Sequence, residues 1–581
     1  MKYCDKKNNI LKIILGLIVV MVCVQHIFDI YQPTLLDDEY CYWSIAAYLN
    51  NTDWSSVTSY CSYYSYGYSF ILFIIMKVFS DTIMMYRAAV VINAFLMFGS
   101  FIILDRILCK IFCNADRNKC TIAAFLSIMI PCNINYASVN LTECLLLFLT
   151  LVLAWFVITT DRDESYIRIF AAAVVSGYAY MVHQRMLCVI VAIVVTIAVM
   201  TFDGRYKIAE LITYIAGVTA MLLLHSGLKS NFKQAVWLGK NAGAGNDYGS
   251  ITSNIKYIFS SFNNFARFIV GVIGKIYYYM SATYLVGGIA LVVMIISIYK
   301  CYKKNNLYIF VICSFVMLWG LASVFMAKLG SGGLSPLLYG RYMEIVYPLI
   351  LAIGIMWLSS IGSTISLKRK LSIIVASIAV YGTIGLVVRM YIKRRELRVI
   401  NYISCGQIYK YMSGDNLPVL KMMFIVSMTF VALMFITEIR KYRKVTGVVL
   451  ATAVFICELR TAYIPFNAIN LWLQDNKKQA KEVINVLNDS DGRIYYYMSD
   501  EEDKQTAQNR EYIQYWLKDR KIICINDSKL DKIQFGEHDV VVVSSKEKNA
   551  ELTDEAIGKY KRIYEDKEFV SVYKIQKSAN I

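Results

Sequence analysis

The chain has 581 residues, of which 57% are hydrophobic and only 18% are charged, against about a quarter in soluble domains. This composition excludes a soluble enzyme, a disordered chain and a fibrous repeat. Successive segments of about 20 residues are almost free of charge, which is long enough to cross a hydrocarbon core of about 30 Å. The sequence therefore predicts a polytopic α-helical membrane protein.

The net charge of +18 is distributed unevenly along the chain. Residues 464–581 contain 19 Lys and Arg against 21 Asp and Glu, whereas residues 1–463 contain 41 against 21. A basic excess confined to loops that flank membrane spans is mainly a topology signal, and it also suits anionic lipid or phosphate. Nucleic acid is not an expected partner, because the soluble part carries no basic stripe.

The hydropathy pattern predicts about thirteen transmembrane helices. The first covers Leu11–Ile27, with Lys6, Lys7 and Lys12 before or at its start, and has no small-residue cleavage site after it, so it is expected to remain as an anchor. The other twelve are expected near 84–104, 120–138, 143–160, 168–183, 186–202, 209–226, 282–299, 307–326, 343–360, 371–391, 420–438 and 445–463.

The run Tyr68–Phe79 is too short to cross and is expected to lie in the membrane interface. With the amino terminus in the cytoplasm, the short cytoplasmic segments then hold 22 Lys and Arg, whereas the outside connections 135–142 and 183–185 hold one. The positive-inside rule therefore predicts a cytoplasmic amino terminus and an extracytoplasmic carboxyl terminus. The basic run at 393–398 is the one loop that departs from this rule.

After the last span, residues 464–581 alternate helices with apolar strands, which is typical of a small α/β domain. Helices are expected at 474–488, 509–519 and 551–563, and strands at 493–499, 521–526, 539–545 and 569–575. The domain has no dinucleotide fingerprint, P-loop or nucleophile elbow. We therefore expect a transmembrane module at 1–463, which includes the outer loop 29–83 with its amphipathic helices, and a soluble extracytoplasmic domain at 464–581.

Three consecutive acidic residues, Asp37, Asp38 and Glu39, lie just beyond the first span and open an amphipathic helix. Ionisable groups near a bilayer are costly and usually functional. Capping is the alternative, since a carboxylate at a helix amino terminus contributes about 0.3–1 kcal/mol. Capping does not require three carboxylates, so a functional role is favoured.

The Asp38-Glu39-x-x-Tyr42 element directly outside the first span resembles the GT-C superfamily of glycosyltransferases. It is most similar to the branch that contains protein O-mannosyltransferases and the aminoarabinose transferases that modify lipid A. The tyrosine-rich segment 53–87 and the Gly-Arg-Tyr-Met-Glu segment at 340–344 resemble a bacterial group of this kind without an assigned substrate. The resemblance implies transfer of a sugar from a polyprenyl phosphate, at the outer membrane face, to a glycan, lipid or protein acceptor.

In that superfamily the acidic loop residue that matches Asp38 is the catalytic base. Such a carboxylate removes the proton of an acceptor hydroxyl as the oxygen attacks the anomeric carbon. Asp37 is the alternative, because a shift of one residue at a helix start turns the side chain by about 100°. The leaving group is a phosphate, so cationic side chains or a metal must stabilise its charge.

Arg87, Arg185 and Arg341 are the candidates for binding the donor phosphate, because each lies at the predicted outer end of a span. For Arg87, snorkelling to the interface is an equally weighted alternative. For Arg341, a local ion pair with Glu344, three residues further on, is the alternative.

Glu143, at the outer start of the fourth span, is the second acidic candidate, and a capping box with Asn140 is its equally weighted alternative. His183 is a candidate acid or base, although a structural, hydrogen-bonded histidine is favoured. Tyrosines near these segments have faces on which sugars can stack, but tyrosines at a membrane interface also need no ligand. The expected substrate-binding residues are Glu39, Tyr42, Tyr66, Tyr68, Tyr339, Tyr342 and His183.

No cofactor is expected. Four histidines in the chain exclude a His-rich metal site, and the cysteines at 109–120 lack a histidine to complete a zinc pattern. A divalent cation such as Mg²⁺ or Mn²⁺, held by Asp37, Asp38 and Glu143, is the alternative.

The Lys-Pro-Pro element of the aminoarabinose enzymes and the Trp-Trp-Asp motif of oligosaccharyltransferases are both absent from the sequence, so the donor sugar and the acceptor stay open. A transporter or flippase of lipid-linked sugars is the alternative from another class, and helices broken in mid-membrane would favour it. A non-catalytic membrane scaffold is a third alternative, but it would not need the acidic segment together with the outer arginines.

Overall fold

In the computed structural model of the protein, the described residues are 2–159, 165–239, 251–327, 335–361, 365–391, 404, 419–436, 452–463, 477–498, 504–526, 533–544, 560–566 and 569–575. The helices up to the middle of the chain are α1 (Lys2–Val24), α2 (Asp37–Leu49), α3 (Ser55–Thr58), α4 (Ser69–Val78), α5 (Thr82–Ile111), α6 (Arg117–Ile128), α7 (Pro131–Ala137), α8 (Glu143–Thr159), α9 (Ser165–Val182), α10 (Leu187–Phe202) and α11 (Ile208–Trp237). They are followed by α12 (Ile251–Ile258), α13 (Phe262–Ala282), α14 (Val286–Cys301), α15 (Asn306–Met326), α16 (Ser335–Leu338), α17 (Tyr347–Ile361), α18 (Leu367–Tyr391), α19 (Val419–Ile436), α20 (452–463), α21 (Lys477–Asn488) and α22 (Lys504–Trp516).

Within these residues, six helices are long and apolar enough to cross a membrane, or eight if each of two bent helix pairs counts as one span. Shorter apolar helices of 10–17 residues accompany them, and α4 is one of these. The prediction of a multi-pass α-helical membrane protein is confirmed, while the total of thirteen spans stays a prediction. The six long spans are Asn9–Asp29, Thr82–Ile111, Gln184–Phe202, Ile208–Trp237, Asn306–Phe325 and Leu367–Met390.

The segment predicted as one span at 120–138 is two helices, α6 and α7, bent by 65°. Pro131 is the first residue of α7, and its ring removes the backbone donor that would continue α6. Ile130, which precedes the proline, has an extended backbone with ψ of 151°, as expected for that position. The bend therefore has a local cause in the sequence.

The second bent pair consists of α13 and α14, which meet at 105°. Tyr284 and Leu285 lie between them with φ of 48° and 63°, a left-handed conformation that cannot continue a helix. The sequence placed 227–281 in an outer loop, whereas the structure forms the 21-residue helix α13 there. Arg267 and Lys275 interrupt its apolar pattern, which is why hydropathy alone missed it.

Packing divides the chain into two compact units. The sequence assigned the first outer loop to the transmembrane module, whereas in the structure it packs with the carboxyl-terminal residues. The predicted boundary at 463/464 stays a prediction. The first unit consists of Met1–His26, Val90–Leu223 and Tyr248–Ala468, and the second of Ile27–Ala89, Leu224–Asp247 and Ile469–Ile581.

In the first unit, the helices pack in pairs around a buried apolar interior. Helix pairs in extensive contact include α10 with α15, α6 with α17, α13 with α18, and α14 with α17. Gly354 of α17 allows one such approach, because a Cβ there would lie 2.8 Å from the carbonyl oxygen of Val286 in α14. The unit holds the short segments that connect α7 to α8, α9 to α10 and α16 to α17.

The second unit contains a five-stranded mixed sheet in the order β2-β1-β3-β5-β4. The central strand pairs are parallel (β1 with β2 and β3), and the pairs β3–β5 and β5–β4 are antiparallel. Every residue of β1 and β3 is buried, as expected for strands covered on both faces. The strands are β1 (Ile494–Tyr497), β2 (Ile522–Ile525), β3 (Val540–Ser544), β4 (Tyr560–Glu565) and β5 (Val570–Ile575).

The α/β prediction for the tail is confirmed, with one correction. Helices α21 and α22 and strands β1, β2, β3 and β5 lie where the sequence placed them. The predicted helix at 551–563 is wrong at its end, where strand β4 begins at Tyr560, and residues 551–559 lie outside the described residues. Strand β4 pairs antiparallel with β5, the next strand along the chain, and this pairing stabilises an edge strand where the sequence predicted the end of a helix.

The first outer loop is fastened to the α/β domain by hydrogen bonds. The indole of Trp54 donates to the carbonyl oxygen of Lys518 at 2.7 Å, and the Cys524 amide donates to Ser56 Oγ at 2.9 Å. The Tyr515 hydroxyl donates to the carbonyl oxygen of Thr82 at 3.0 Å. Helix α2 also packs on α22. The first outer loop, which includes α2, is thus held by the carboxyl-terminal domain.

Candidate active site

Three of the predicted site residues form an ion cluster in the first unit. Oε1 of Glu143 accepts a hydrogen bond from Arg185 Nη2 at 3.0 Å and another from Arg341 Nε at 2.5 Å. Arg185 Nη1 also donates to the backbone carbonyl of Arg341 at 3.1 Å. The side chains of Glu143, Arg185 and Arg341 are 3%, 1% and 11% exposed, so the cluster is largely shielded from solvent.

Each member of the cluster comes from the end of a helix or from a connecting turn. Glu143 is the first residue of α8, and Arg185 lies in a 3₁₀ turn between α9 and α10. Arg341 follows Gly340, where a Cβ would come within 1.9 Å of the Tyr278 ring. Only glycine fits there, and this close approach fixes the backbone that presents Arg341.

The cluster holds two guanidinium groups and one carboxylate, so it carries a formal charge of +1. Oε2 of Glu143 and Nε of Arg185 have no hydrogen-bond partner among the described residues. Buried polar atoms are normally satisfied, and removing one partner from a buried ion pair costs several kcal/mol. The surplus positive charge and the unused Arg185 Nε donor suit an anion such as phosphate, which guanidinium groups bind through paired hydrogen bonds.

His183 and two predicted tyrosines border this cluster. Nδ1 of His183 accepts a hydrogen bond from the Arg185 amide at 3.1 Å, and its ring lies 5.9 Å from that of Tyr342. The Arg185 guanidinium lies 5.5 Å from the centroid of Tyr342, whose ring is 5.4 Å from Tyr339. Burial lowers the pKa of His183 well below its usual value, and the charge of Arg185 acts in the same direction. A neutral histidine in this position fits the structural role.

Glu344 does not form an ion pair with Arg341, because the arginine binds Glu143. Instead, Glu344 accepts hydrogen bonds from Tyr136 at 2.7 Å, from Ser404 Oγ at 3.2 Å and from Tyr278. Its carboxyl is fully buried, so these donors replace the water it would otherwise bind. Sequence reasoning missed this network, since its members are 60 to 208 residues apart and no local pattern links them.

The acidic segment lies in the second unit, at the start of α2. Glu39 is fully buried, and its Oε2 accepts from the Leu36 amide at 2.7 Å and from Thr34. The Tyr86 hydroxyl donates to Glu39 Oε1 at 2.6 Å. The carboxylate of Glu39 therefore caps the helix and joins it to α5, so the local fold uses one of the three acids.

The two remaining acids lie in the first turn of α2. Asp37 is its first residue, and Asp38 is half-buried with interactions of its own. Tyr42 is buried one turn further, where its ring meets the edge of Tyr68 at 5.9 Å. Asp38 is thus less buried than Glu39, and a base acting on a substrate must be accessible to it.

Arg87 and Tyr66 take defined structural positions in the same unit. Arg87 donates from Nε and Nη2 to the carbonyl oxygen of Ile30 at 3.2 and 3.0 Å, which fixes the chain that enters the first outer loop. The Tyr66 hydroxyl lies 3.1 Å from Nδ1 of His225. The structure thus places the Arg87 guanidinium with backbone carbonyls.

The predicted residues fall into two sets. Glu143, Arg185, Arg341, His183, Tyr339 and Tyr342 belong to the first unit, and Asp37, Asp38, Glu39, Tyr42, Tyr66, Tyr68 and Arg87 belong to the second. Within the described side chains, no three His, Cys, Asp or Glu residues are grouped so that they could hold a metal ion. The side chain of Asp37 lies outside that description, so the divalent-cation alternative stays a prediction.

Two crystal structures of ArnT from Cupriavidus metallidurans are similar to this structure over almost the whole chain. The apo form has a TM-score of 0.52 at 12% sequence identity and covers 98% of each chain. The form bound to undecaprenyl phosphate has a TM-score of 0.51 at 12% identity and covers 97% of each chain. No protein-family model and no curated protein matches the sequence.

The protein therefore has the fold of the GT-C superfamily of membrane glycosyltransferases. Its fold is similar to that of ArnT, the lipid A aminoarabinose transferase, which is one member of that superfamily. The resemblance inferred from the Asp38-Glu39-x-x-Tyr42 element is confirmed at the level of the fold, as is the prediction of a GT-C-like helical membrane protein with a small α/β domain.

Proposed function

We propose that this protein is a glycosyltransferase that transfers a sugar from a polyprenyl-phosphate donor to a cell-envelope acceptor at the outer membrane face. The observation that carries the proposal is the buried Glu143–Arg185–Arg341 cluster, which has a surplus positive charge in a GT-C fold. The similarity to ArnT bound to undecaprenyl phosphate supports a lipid phosphate as the donor carrier.

The proposed reaction exchanges one bond at the anomeric carbon. The acceptor oxygen forms a bond to that carbon while the bond to the phosphate oxygen breaks, and the polyprenyl phosphate leaves with the electron pair. Asp38 takes the proton from the acceptor hydroxyl, and Asp37 is the alternative base. Because the leaving group is an anion, its stabilisation needs positive charge, which Arg185 and Arg341 supply.

The Glu143 carboxylate has a supporting role in this proposal. Its Oε1 binds both arginines and fixes their orientation before the phosphate arrives. Preorganised donors stabilise developing charge better than mobile ones, because they need no reorganisation during the reaction. Glu143 is therefore assigned a positioning role.

The decisive experiment is transfer of radiolabelled sugar from synthetic polyprenyl-phosphate sugars by the purified full-length protein in nanodiscs, with extracts of envelope glycans, lipids and proteins as acceptors. We expect labelled product in one acceptor fraction, with polyprenyl phosphate released in equal amount. A chelator arm tests the proposal that no cofactor is required, since activity that chelation abolishes and Mg²⁺ or Mn²⁺ restores would contradict it. Absence of transfer with a broad donor set would overturn the enzyme assignment.

A transporter or flippase of lipid-linked sugars is the second candidate, because α6–α7 and α13–α14 are bent by 65° and 105°. Broken helices line the substrate sites of many secondary transporters. Proteoliposomes loaded with a fluorescent lipid-linked sugar separate the two functions: a transporter moves the intact lipid between leaflets without any release of polyprenyl phosphate.

A further inference from the structure

A stripe of polar and aromatic residues runs along the last part of α11. His225, Lys229, Lys233 and Trp237 follow one another at intervals of four residues, which places them on one face of the helix. Helix α11 has 30 residues, whereas about 20 suffice to cross a hydrocarbon core. The last ten residues add about 15 Å, so the two lysines are at the depth of lipid headgroups when the apolar part spans the membrane.

Both lysines face the same aromatic ring. The ammonium groups of Lys229 and Lys233 lie 5.5 and 5.3 Å from the centroid of Tyr63, in the tyrosine-rich part of the first outer loop. The edge of Trp237 meets Tyr63 at 5.2 Å, and its indole donates to the carbonyl oxygen of Cys61 at 2.8 Å. The loop and the helix therefore hold the two cations against one shared platform.

The lysine pair differs from cations of the chain that are paired with carboxylates. Lys12 binds Asp105, Arg493 binds Asp539, and the buried arginines bind Glu143, so each of these charges has a carboxylate. Lys229 and Lys233 are half-buried, and among the described residues no carboxylate lies within ion-pair distance of either. Like charges at i and i+4 repel each other, and an anion between them would remove that repulsion.

We propose that Lys229, Lys233 and Tyr63 form a binding site for the anionic phosphate group of a membrane lipid. Two ammonium groups can donate to the phosphate oxygens, and the Tyr63 ring holds both amines at the depth where lipid phosphates lie. The site is built from residues other than the Glu143 cluster and does not depend on the proposed transferase activity. Two sources supply this chemistry: a bulk anionic phospholipid and an isoprenoid phosphate.

The competing explanation is that both lysines only extend their ammonium groups towards water at the end of a span. Snorkelling requires no particular lipid and no aromatic platform. A lipid site predicts instead that binding depends on both the charges and the ring.

The test measures apparent Kd values by native mass spectrometry of the full-length protein, titrated separately with phosphatidylglycerol, polyprenyl phosphate and zwitterionic phosphatidylcholine. The variant is Lys229→Gln with Lys233→Gln, and the matched control is Lys77→Gln with Lys119→Gln, which removes the same charge from two exposed positions. We expect affinity for at least one anionic lipid to fall by about tenfold or more in the variant and to be unchanged in the control.

Further variants separate the roles of charge, ring and folding. Lys229→Arg with Lys233→Arg and Tyr63→Phe should keep most of the affinity, whereas Tyr63→Leu should lower it. Weakening of phosphatidylglycerol binding alone identifies a phospholipid site, and weakening of polyprenyl phosphate alone identifies an isoprenoid site. The proposal would be overturned if the Gln variant bound both anionic lipids as tightly as the wild type does. It would also be overturned if the control variant lost as much affinity as the Gln variant. Thermal unfolding verifies that each variant is folded.

Discussion

Arg341 Nε lies 2.5 Å from Oε1 of Glu143, although 198 residues separate the two in the chain. The same oxygen accepts from Arg185, so one carboxylate orients two guanidinium groups. The cationic site therefore forms only when the fold brings these three residues together. No single segment of the sequence contains it.

Arg341→Ala should weaken donor binding, because a phosphate would lose a charge-assisted partner. We expect affinity for polyprenyl phosphate in nanodiscs to fall by about tenfold or more. Arg106→Ala is a suitable control, since that arginine is in the predicted cytoplasmic loop. Unchanged affinity in the Arg341 variant would remove this residue from the site while leaving the enzyme class untouched.

Glu143→Gln should destabilise the protein and also weaken donor binding. The substitution leaves Arg185, which is 1% exposed, without its anionic partner. Breaking a buried ion pair in this way typically costs about 3–5 kcal/mol. The measurement is the free energy of unfolding of Glu143→Gln in denaturant, compared with that of the wild type and of Glu39→Gln. A variant as stable as the wild type would show that the charge of the Glu143 carboxylate does not contribute to the free energy of unfolding.

Asp38→Asn should abolish most of the transfer activity while preserving fold and lipid binding. Loss of a positioned base costs about 10²–10⁴ in rate, and asparagine keeps the size and hydrogen bonding of the side chain. Single-turnover transfer is the measurement, with Asp37→Asn and Asp53→Asn as neighbouring controls. If Asp37→Asn loses the rate and Asp38→Asn retains it, the base is the alternative one, and if both retain it, the mechanism is refuted.

Acidification should destabilise the α/β domain through Asp539. Burial would raise the pKa of Asp539, but the Gly536 amide and the Arg493 guanidinium donate to the carboxylate and outweigh it, so the pKa is lowered. A lowered pKa in the folded state means that the stabilisation is present above the unfolded value of about 3.9 and is lost as the pH falls through the folded value. Because the Arg493 side chain is 55% exposed, we expect less than about 1 kcal/mol.

Asp539→Asn provides the comparison for this pH dependence. The variant should be less stable than the wild type at pH 7, and the difference should shrink below about pH 4. Denaturant unfolding of the full-length protein, followed at the sheet by tyrosine fluorescence or hydrogen exchange, measures it. A difference that grows on acidification would contradict the assignment.

The topology prediction is tested by reporter fusions at residues 305 and 470. The 22 Lys and Arg counted on cytoplasmic segments place residue 305 inside and residue 470 outside. Opposite reporter activities at the two positions are expected. The same activity at both would rule out an odd number of crossings between them.

Local signals in the sequence predicted the fold well where they were strong. Apolar runs, the alternation in the tail and the acidic start of α2 all led to elements that the structure contains. Three features were missed because hydropathy and propensity give no clear signal for them. Strand β4 needs β5, α13 is amphipathic and carries the buried Lys275, and Pro131 bends a segment that hydropathy treats as continuous.

In the candidate site, too, local features were predicted from the sequence and the contacts between residues were not. Sequence position alone selected Glu143, Arg185 and Arg341 as candidates, and it offered Glu344 as an alternative partner of Arg341 because the two are neighbours in the chain. The structure instead surrounds Glu344 with Tyr136, Tyr278 and Ser404, which belong to remote segments. Charge and helix-end position can be read locally, whereas the choice of partner depends on packing.

The attachment of the first outer loop to the α/β domain has a consequence for protein engineering. Trp54, Ser56 and Thr82 each bond to the carboxyl-terminal residues, so the loop and the tail form one interchangeable part although the membrane helices separate them in sequence. A chimera that exchanges the tail alone would leave these donors and acceptors facing foreign surfaces. Recombination between relatives should therefore keep 27–89 and 469–581 from the same parent.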